Sequence, residues 1–139
     1  MDEVGFFIVG KAKDKEDELV IFNKMRDMLT KEDFTKIAFC ENEESHDILY
    51  TFLNYSKNKE LFNLFESHGV LIHFSDITKE VLYQTNMNKI LTEGEFKPLF
   101  DEFLKNNLTI DFILDKISTL GVESLTKTDY KILTTHGKY

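Results

Sequence analysis

The sequence predicts a mixed α+β fold in which a small sheet with helices precedes a run of further helices. Over roughly the first 75 residues, short apolar runs of strand length alternate with apolar stripes at helical spacing. From residue 92 onward, helical spacing continues between clear start and stop signals. The 139 residues include 13 Phe, and 42% of them are hydrophobic, which is enough to form a packed core.

The chain opens with a predicted strand and a predicted helix. Residues 6–9 are an apolar run that ends at Gly10 and indicates a buried strand. Residues 14–30 have an apolar stripe at helical spacing, and acidic residues crowd the amino end, where the helix dipole favours negative charge. The stripe consists of Leu19, Phe22, Met25, Met28 and Leu29.

The next part of the chain allows two interpretations. Residues 36–40 indicate a second strand, and the polar, acidic residues 41–45 follow it. Residues 47–53 alternate as a strand does, but their apolar residues also fit a helix. Their β-branched and aromatic content and the short polar loop before them favour a hairpin with the second strand.

The remaining elements of this region set the predicted topology. Residues 58–68 indicate a helix that ends at Gly69, residues 70–74 a strand, and residues 78–91 a helix. The order βαββαβ is that of a ferredoxin-like α/β sandwich, an antiparallel sheet with two helices on one face. If residues 47–53 are helical, the alternative is a three-stranded α/β sheet with helices.

The C-terminal helical segment carries the clearest local signals. Pro98 belongs in the first turn of a helix, because proline has no amide donor. Thr109 can cap the next helix, and Gly121 ends it. Thr126 can cap the last helix, with Asp129 three residues later in the position that closes a capping box.

No internal repeat and no Pro/Gly/Ser-rich linker interrupts the sequence. We therefore expect a single domain over residues 1–139. Within it, residues 1–91 form the α/β part, and residues 92–139 form the helical part.

Two short segments, ILDKIS at 113–118 and GVESLT at 121–126, predict a helical hairpin over residues 109–135. This hairpin resembles segments near the carboxyl terminus of various bacterial proteins, including some rhomboid-like proteins. The resemblance implies a bacterial origin and a tail that packs on another element. It implies no activity, because the rhomboid nucleophile lies in membrane helices that do not match these residues. Residues 1–90 show no such resemblance.

Charge and hydropathy disfavour two classes of partner. A net charge of −8 counts against binding to nucleic-acid phosphates and to anionic membrane surfaces. No stretch approaches the roughly 18 apolar residues that span a bilayer, and the first residues lack the features of a secretory signal. The sequence thus predicts a cytoplasmic protein that binds neither nucleic acid nor membrane.

No catalytic, metal-binding or cofactor-binding motif is present in the sequence. The four histidines lack the spacing of a helical metal site, and the glycines do not form a phosphate-binding loop. His46 lies among acidic residues, for which a solvated acidic loop is the ordinary interpretation. We therefore predict no catalytic residue, no metal site and no cofactor.

Two residues of the predicted sheet are candidates for binding. His73, in the predicted strand 70–74, would share a face with Leu71 and either be partly exposed or line a pocket. Cys40 and His73 could in principle form a thiolate–imidazole pair on adjacent strands, although the sequence does not show that the two residues meet. The ordinary interpretation of Cys40 is a small buried apolar residue.

Three aromatic residues of the helical part are also candidates. Phe96, Phe100 and Phe103 would either pack in the core or form an interface with a protein partner or a second copy. The leading hypothesis is a non-enzymatic binding or regulatory module that acts through protein–protein contacts. The alternative is a small enzyme or ligand-binding domain with a pocket near His73.

Overall fold

The computed structural model describes residues 3–85, 89–92 and 94–137. The chain divides into two compact units, residues 1–78 and residues 79–139. The sequence predicts the change from an α/β part to a helical part at residue 91, whereas the units divide at residue 78.

The first unit contains a four-stranded antiparallel sheet in the order β2-β3-β1-β4. The strands are β1 (Phe6–Gly10), β2 (Ile37–Glu41), β3 (Asp47–Thr51) and β4 (Leu71–Asp76). The alternative of a three-stranded sheet is wrong, because residues 47–51 form a strand. Ile48, Tyr50 and Thr51 have the branched and aromatic side chains that suit a pleated strand.

Three helices accompany this sheet: α1 (Lys15–Met28), the short α2 (Lys31–Phe34) and α3 (Tyr55–Ser67). The Asp14 carboxylate caps α1 by accepting the N–H of Asp17 at 2.8 Å. Asn54 caps α3 in the same way through the N–H of Lys57. Gly69, with φ +67°, follows α3 as predicted.

The core lies between one face of the sheet and the helices α1 and α3. It comprises Phe6, Ile8, Ile21, Met25, Leu29, Leu49, Leu53, Leu61, Phe65 and Val70. The predicted apolar stripe of α1 is wrong in part, because Leu19 and Phe22 are 61% and 49% exposed while Ile21 is buried. Ile21 and Met25 lie one turn apart at the centre of the buried side, so Leu19 and Phe22 remain on the outer side.

The strands β2 and β3 form the predicted hairpin. The N–H of Asn42 donates to the His46 carbonyl at 3.1 Å, and the N–H of Ser45 donates to the Asn42 carbonyl. Ser45 adopts a left-handed conformation, with φ +62°. The Asn42 side-chain oxygen accepts the N–H groups of Glu44 and His46, which is how an Asx residue stabilises a tight loop.

The second unit is helical. Its helices include α6 (Lys97–Asn107), α7 (Ile110–Leu120) and α8 (Lys127–Gly137), preceded by α4 (Thr78–Tyr83) and α5 (Lys89–Thr92). Short 3-10 turns occupy Gly94–Phe96 and Val122–Ser124. None of the helices within the described ranges combines the length and apolar character that crossing a bilayer requires.

Several predicted start and stop signals of this unit are confirmed. Pro98 lies in the first turn of α6. Thr109 caps α7 by accepting the N–H of Phe112 at 3.2 Å, and Gly121 ends that helix with φ +89°. Thr126 and Asp129 form the capping box of α8.

The predicted helix 78–91 is interrupted after Tyr83. Gln84 has φ +58°, its N–H donates to the Val81 carbonyl, and the N–H of Thr85 donates to the Glu80 carbonyl. This is the hydrogen-bond pattern of a Schellman ending, which usually has glycine at the left-handed position. Residues 86–88 of the predicted helix lie outside the described residues.

Candidate functional site

His73 lies on the edge strand β4 and is exposed. The register pairs His73 with Val9 but Leu71 with Gly10, so Ile72 is an extra residue in a β-bulge. The prediction that His73 shares a face with Leu71 is therefore wrong. Leu71 packs against the core, whereas the His73 ring contacts Phe7, which lies on the other face of the sheet.

Phe7 connects His73 to a row of rings on the sheet face remote from α1 and α3. The Phe7 ring stacks on Tyr50 with centroids 5.1 Å apart, and the His73 ring lies 5.6 Å from Phe7. Tyr50 is buried and Phe7 half-buried, so His73 is the exposed end of the row. A ligand pocket beside His73 stays a prediction.

Cys40 lies on β2, at the opposite edge of the sheet from His73. The register runs from Cys40 to Ile48, Val9 and then His73, so about 14 Å separate the ends of this row at about 4.8 Å per strand. The thiolate–imidazole pair that adjacent strands would have allowed is therefore excluded, since two intervening strands separate the residues. Burial also raises the pKa of the Cys40 thiol, which favours the unreactive protonated form.

The three aromatic candidates of the second unit lie in and just before α6. Phe96 is half-buried, whereas Phe100 and Phe103 are only 6% and 2% exposed. Burial of this extent is typical of core residues. A role of these rings in binding a partner stays a prediction.

The second unit contains a buried polar network, of which only the capping pair Thr126 and Asp129 was predicted from the sequence. The Lys116 ammonium donates to the Asp129 carboxylate at 2.8 Å, and the Gln84 amide donates to the same carboxylate at 2.9 Å. The Thr126 hydroxyl donates to the Gln84 amide oxygen at 2.9 Å. One signal in the sequence was available, because Lys116 follows the buried Ile113 by three residues on the same side of α7.

A second polar contact of this unit involves Tyr83, whose hydroxyl donates to the Asp115 carboxylate. The hydrogen bond to Asp115, followed by burial and by the Asp115 charge, raises the pKa of Tyr83. The phenol therefore remains protonated at neutral pH and serves as a donor. The Phe112 ring, 5.2 Å from the Tyr83 ring, packs against it edge-on.

Acidic side chains gather at the hairpin end of the sheet. Burial, followed by the charges of Glu18 and Glu41, raises the pKa of the Asp47 carboxyl. In the described part of the chain, no three His, Cys, Asp or Glu side chains are arranged to hold a metal ion.

Within the part of the chain that the structure describes, β2 pairs with β3 alone, so its other edge is not paired with a strand. The N–H of Phe52 donates to the Lys36 carbonyl, and the N–H of Asn42 donates to the His46 carbonyl, so even-numbered residues bond to β3. In an antiparallel pair, the intervening residues then direct their backbone groups outward. We call this surface the β2 edge and define it by Ile37, Phe39 and Glu41.

Side chains and register distinguish the β2 edge from the β4 edge. The pairing of β2 with β3 is continuous over five residues, whereas the pairing of β1 with β4 is broken by the bulge at Ile72. Phe39 is 50% exposed on the side of the sheet that α1 covers. A regular strand with an exposed aromatic residue is able to accept another strand.

Comparisons with protein-family models, with characterised proteins and with solved structures find no significant match to this chain.

Proposed function

We propose that this protein is a non-enzymatic binding module that acts through protein–protein contacts at the β2 edge. The observation that carries the proposal is the unbroken edge strand, whose outward backbone groups flank the half-exposed Phe39 ring. An extended segment that adds to such an edge gains main-chain hydrogen bonds, and its side chains provide specificity.

We also propose that the first unit is a ferredoxin-like α/β sandwich. The strand order β2-β3-β1-β4 supports this, as do α1 and α3, which both pack on the face that contains Ile8 and Leu49. In this arrangement β2 and β4 are the two edges, and the bulge disfavours strand addition at β4.

The surroundings of the β2 edge favour a partner with particular chemistry. Glu41 and the acidic loop after it add negative charge at one end of the edge. A partner strand therefore meets an apolar centre at Phe39 and an acidic end at Glu41.

The test is affinity capture by three forms of the protein: wild type, Phe39→Lys and Ile72→Lys. Phe39 and Ile72 are 50% and 52% exposed on the two edge strands, so the variants are matched in exposure and in charge. We expect the wild type and Ile72→Lys to retain the same bound protein, and Phe39→Lys to lose it. Equal retention of the bound protein by Phe39→Lys would contradict the proposal. The same holds if none of the three forms retains another protein or a second copy of this chain.

A further inference from the structure

We infer that the β2 edge binds an extended, basic segment of another protein, which adds antiparallel to β2 with a β-branched residue opposite Phe39 and a lysine opposite Glu41. This inference rests on the proposed function, because it names the chemistry of the occupant of the same edge.

The backbone geometry sets the positions that matter on the partner. Ile37, Phe39 and Glu41 direct their backbone groups outward, so the residues opposite them exchange hydrogen bonds with β2. Side chains of residues directly opposite each other lie on the same face of the sheet. The partner therefore contacts Phe39 and Glu41 through two residues that are two positions apart in its own sequence.

Phe39 determines the apolar position. Its pairing with Leu49 places it on the sheet face that carries the core, and its ring is 50% exposed at the edge. A β-branched residue opposite Phe39 covers part of this ring and is a favourable cross-strand partner for an aromatic side chain. Ile37 lies on the same face and extends the apolar surface by one more position.

Two carboxyl groups lie beyond Phe39 on the same face. Glu41 is exposed and lies directly opposite Asp47 of β3. Among the described residues, no lysine, arginine or histidine forms an ion pair with either of them. Other carboxylates that are buried or partly buried do have a lysine, in the pairs Glu3–Lys36, Asp33–Lys57 and Asp129–Lys116. A partner's cation would complete the same pairing at Glu41 and Asp47.

A lysine opposite Glu41 is suited to both carboxyl groups. Its Cα would lie about 10 Å from that of Asp47, two strand spacings away, and its flexible four-carbon stem lets the ammonium extend over Glu41 toward Asp47. Burial, followed by the charges of Glu18 and Glu41, raises the pKa of Asp47, so a nearby positive charge favours its ionised form. The net charge of −8 attracts a basic segment and repels a second copy of this chain.

The direction of the partner follows from the sheet. The described strand pairs are antiparallel, and antiparallel pairing is slightly more stable per residue than parallel pairing. Because Glu41 ends β2, an antiparallel partner places its lysine two residues before the residue opposite Phe39. The expected motif is therefore Lys-x-Val-x-Val, in which valine stands for any β-branched residue.

Two peptides of equal composition test the inference, both acetylated and amidated so that no terminal charge competes. The probe Lys-Thr-Val-Thr-Val-Thr has its lysine on the same face as its valines, whereas the control Thr-Lys-Val-Thr-Val-Thr has it on the opposite face. In NMR titrations up to about 1 mM peptide, we expect the wild type to bind the probe about fivefold more tightly than the control. The backbone amide signals of Ile37, Phe39 and Glu41 should shift.

Variants of the protein locate the lysine. Glu41→Gln should reduce the affinity for the probe to that for the control. Glu43→Gln also removes one exposed carboxylate, from the hairpin loop, and should leave the preference unchanged. Phe39→Lys should bind neither peptide, whereas Ile72→Lys should bind both like the wild type. The bound probe should also lower the pKa of Asp47, and the control should not.

The outcomes separate the inference from the proposed function. Equal affinities for the two peptides, equal weakening by Glu41→Gln and Glu43→Gln, or no binding of either peptide would overturn the inference. If affinity capture still retains a protein that Phe39→Lys loses, the β2 edge remains a binding surface for another kind of segment. Sedimentation of the wild type at twice the 16.3 kDa mass of one chain, with Phe39→Lys at the single mass, would instead identify a second copy as the occupant and overturn the inference.

Discussion

The Lys116 ammonium lies 2.8 Å from the Asp129 carboxylate, and the two residues are only 1% and 0% exposed. The partners are not equivalent. The carboxylate also accepts hydrogen bonds from the Gln84 amide and the Thr126 backbone N–H, whereas the ammonium depends on the carboxylate.

Removal of the carboxylate should therefore destabilise the protein more than removal of the ammonium. Asp129→Ala leaves a buried positive charge, and we expect it to lower the free energy of unfolding by about 3–5 kcal/mol. Lys116→Met should cost less, because the Asp129 carboxylate keeps its neutral donors. Urea denaturation followed by circular dichroism measures both values.

The double variant Lys116→Met with Asp129→Asn provides the control for this pair. It removes both charges and retains most of the volume, so it should be more stable than Asp129→Ala alone. Equal losses of unfolding free energy from Asp129→Ala and Lys116→Met would contradict this prediction, because the two charged groups would then contribute equally to stability.

The two threonine caps of the second unit should differ in strength. Thr109 accepts one backbone N–H, that of Phe112. Thr126 accepts the N–H of Asp129 and also donates to the Gln84 side chain. We expect Thr109→Ala to cost about 1 kcal/mol and Thr126→Ala closer to 2 kcal/mol in urea denaturation. A larger cost at Thr109 would contradict the role of the Gln84 contact.

Ionisation of two carboxyl groups in the first unit should have opposite effects on the stability of the fold. Burial works to raise the pKa of Asp33, but hydrogen bonds from Lys57 and Thr30 outweigh it, and the pKa lies below the ordinary 3.8. Asp33 therefore contributes stability above that value, and the contribution is lost as the pH falls through the lower folded-state pKa. The raised pKa of Asp47 has the opposite effect, so its ionisation weakens the folded state.

We therefore expect Asp47→Asn to stabilise the protein at pH 7, whereas Asp33→Asn should destabilise it there by about 1 kcal/mol. Both effects should shrink near pH 3, at which the two carboxyls are largely protonated in the unfolded chain. Urea denaturation at both pH values measures them. A loss of stability with Asp47→Asn at pH 7 would show that burial and the charges of Glu18 and Glu41 do not disfavour the ionised Asp47 carboxylate.

The Cys40 thiol should react slowly with alkylating reagents at neutral pH. Burial raises its pKa, and the reactive species is the thiolate. We expect the iodoacetamide rate of the folded protein to rise only at a higher pH than that of the same protein unfolded in urea. A folded protein that reacts faster at pH 7 than the unfolded chain would indicate an activated thiol instead.

Phe103 should behave as a core residue. Its ring is 2% exposed, and we expect Phe103→Ala to cost about 3–5 kcal/mol of unfolding free energy. Leu114→Ala, on the exposed side of α7, is the control and should cost less than about 0.5 kcal/mol. A Phe103→Ala variant that keeps its stability but loses self-association would assign the ring to an interface.

Local signals in the sequence were sufficient for most elements. Gly69 and Gly121 mark helix ends because their left-handed backbone suits glycine, and Thr109 and Thr126 mark helix starts through their hydroxyls. The hairpin follows from polar residues between two strand-like runs. Such signals act within a few residues, so they are visible without knowledge of the tertiary structure.

The candidate sites depend on relations that the sequence does not display. Alternation assigns a side chain to a face, but it does not state which strands are neighbours, so the sequence leaves open whether Cys40 and His73 meet, and the strand order shows that they do not. A single extra residue at Ile72 moved His73 away from the face of Leu71. The free β2 edge likewise becomes visible only when the strand order is known.

Gln84 meets two separate demands, since its backbone ends α4 in the left-handed conformation and its amide contacts Asp129 and Thr126. Glycine would relax the backbone but provide no amide, and asparagine tolerates the conformation but is one methylene too short. Related chains that diverge at this position would therefore need compensating changes at positions 126 and 129. The turn and the last helix are constrained to evolve together.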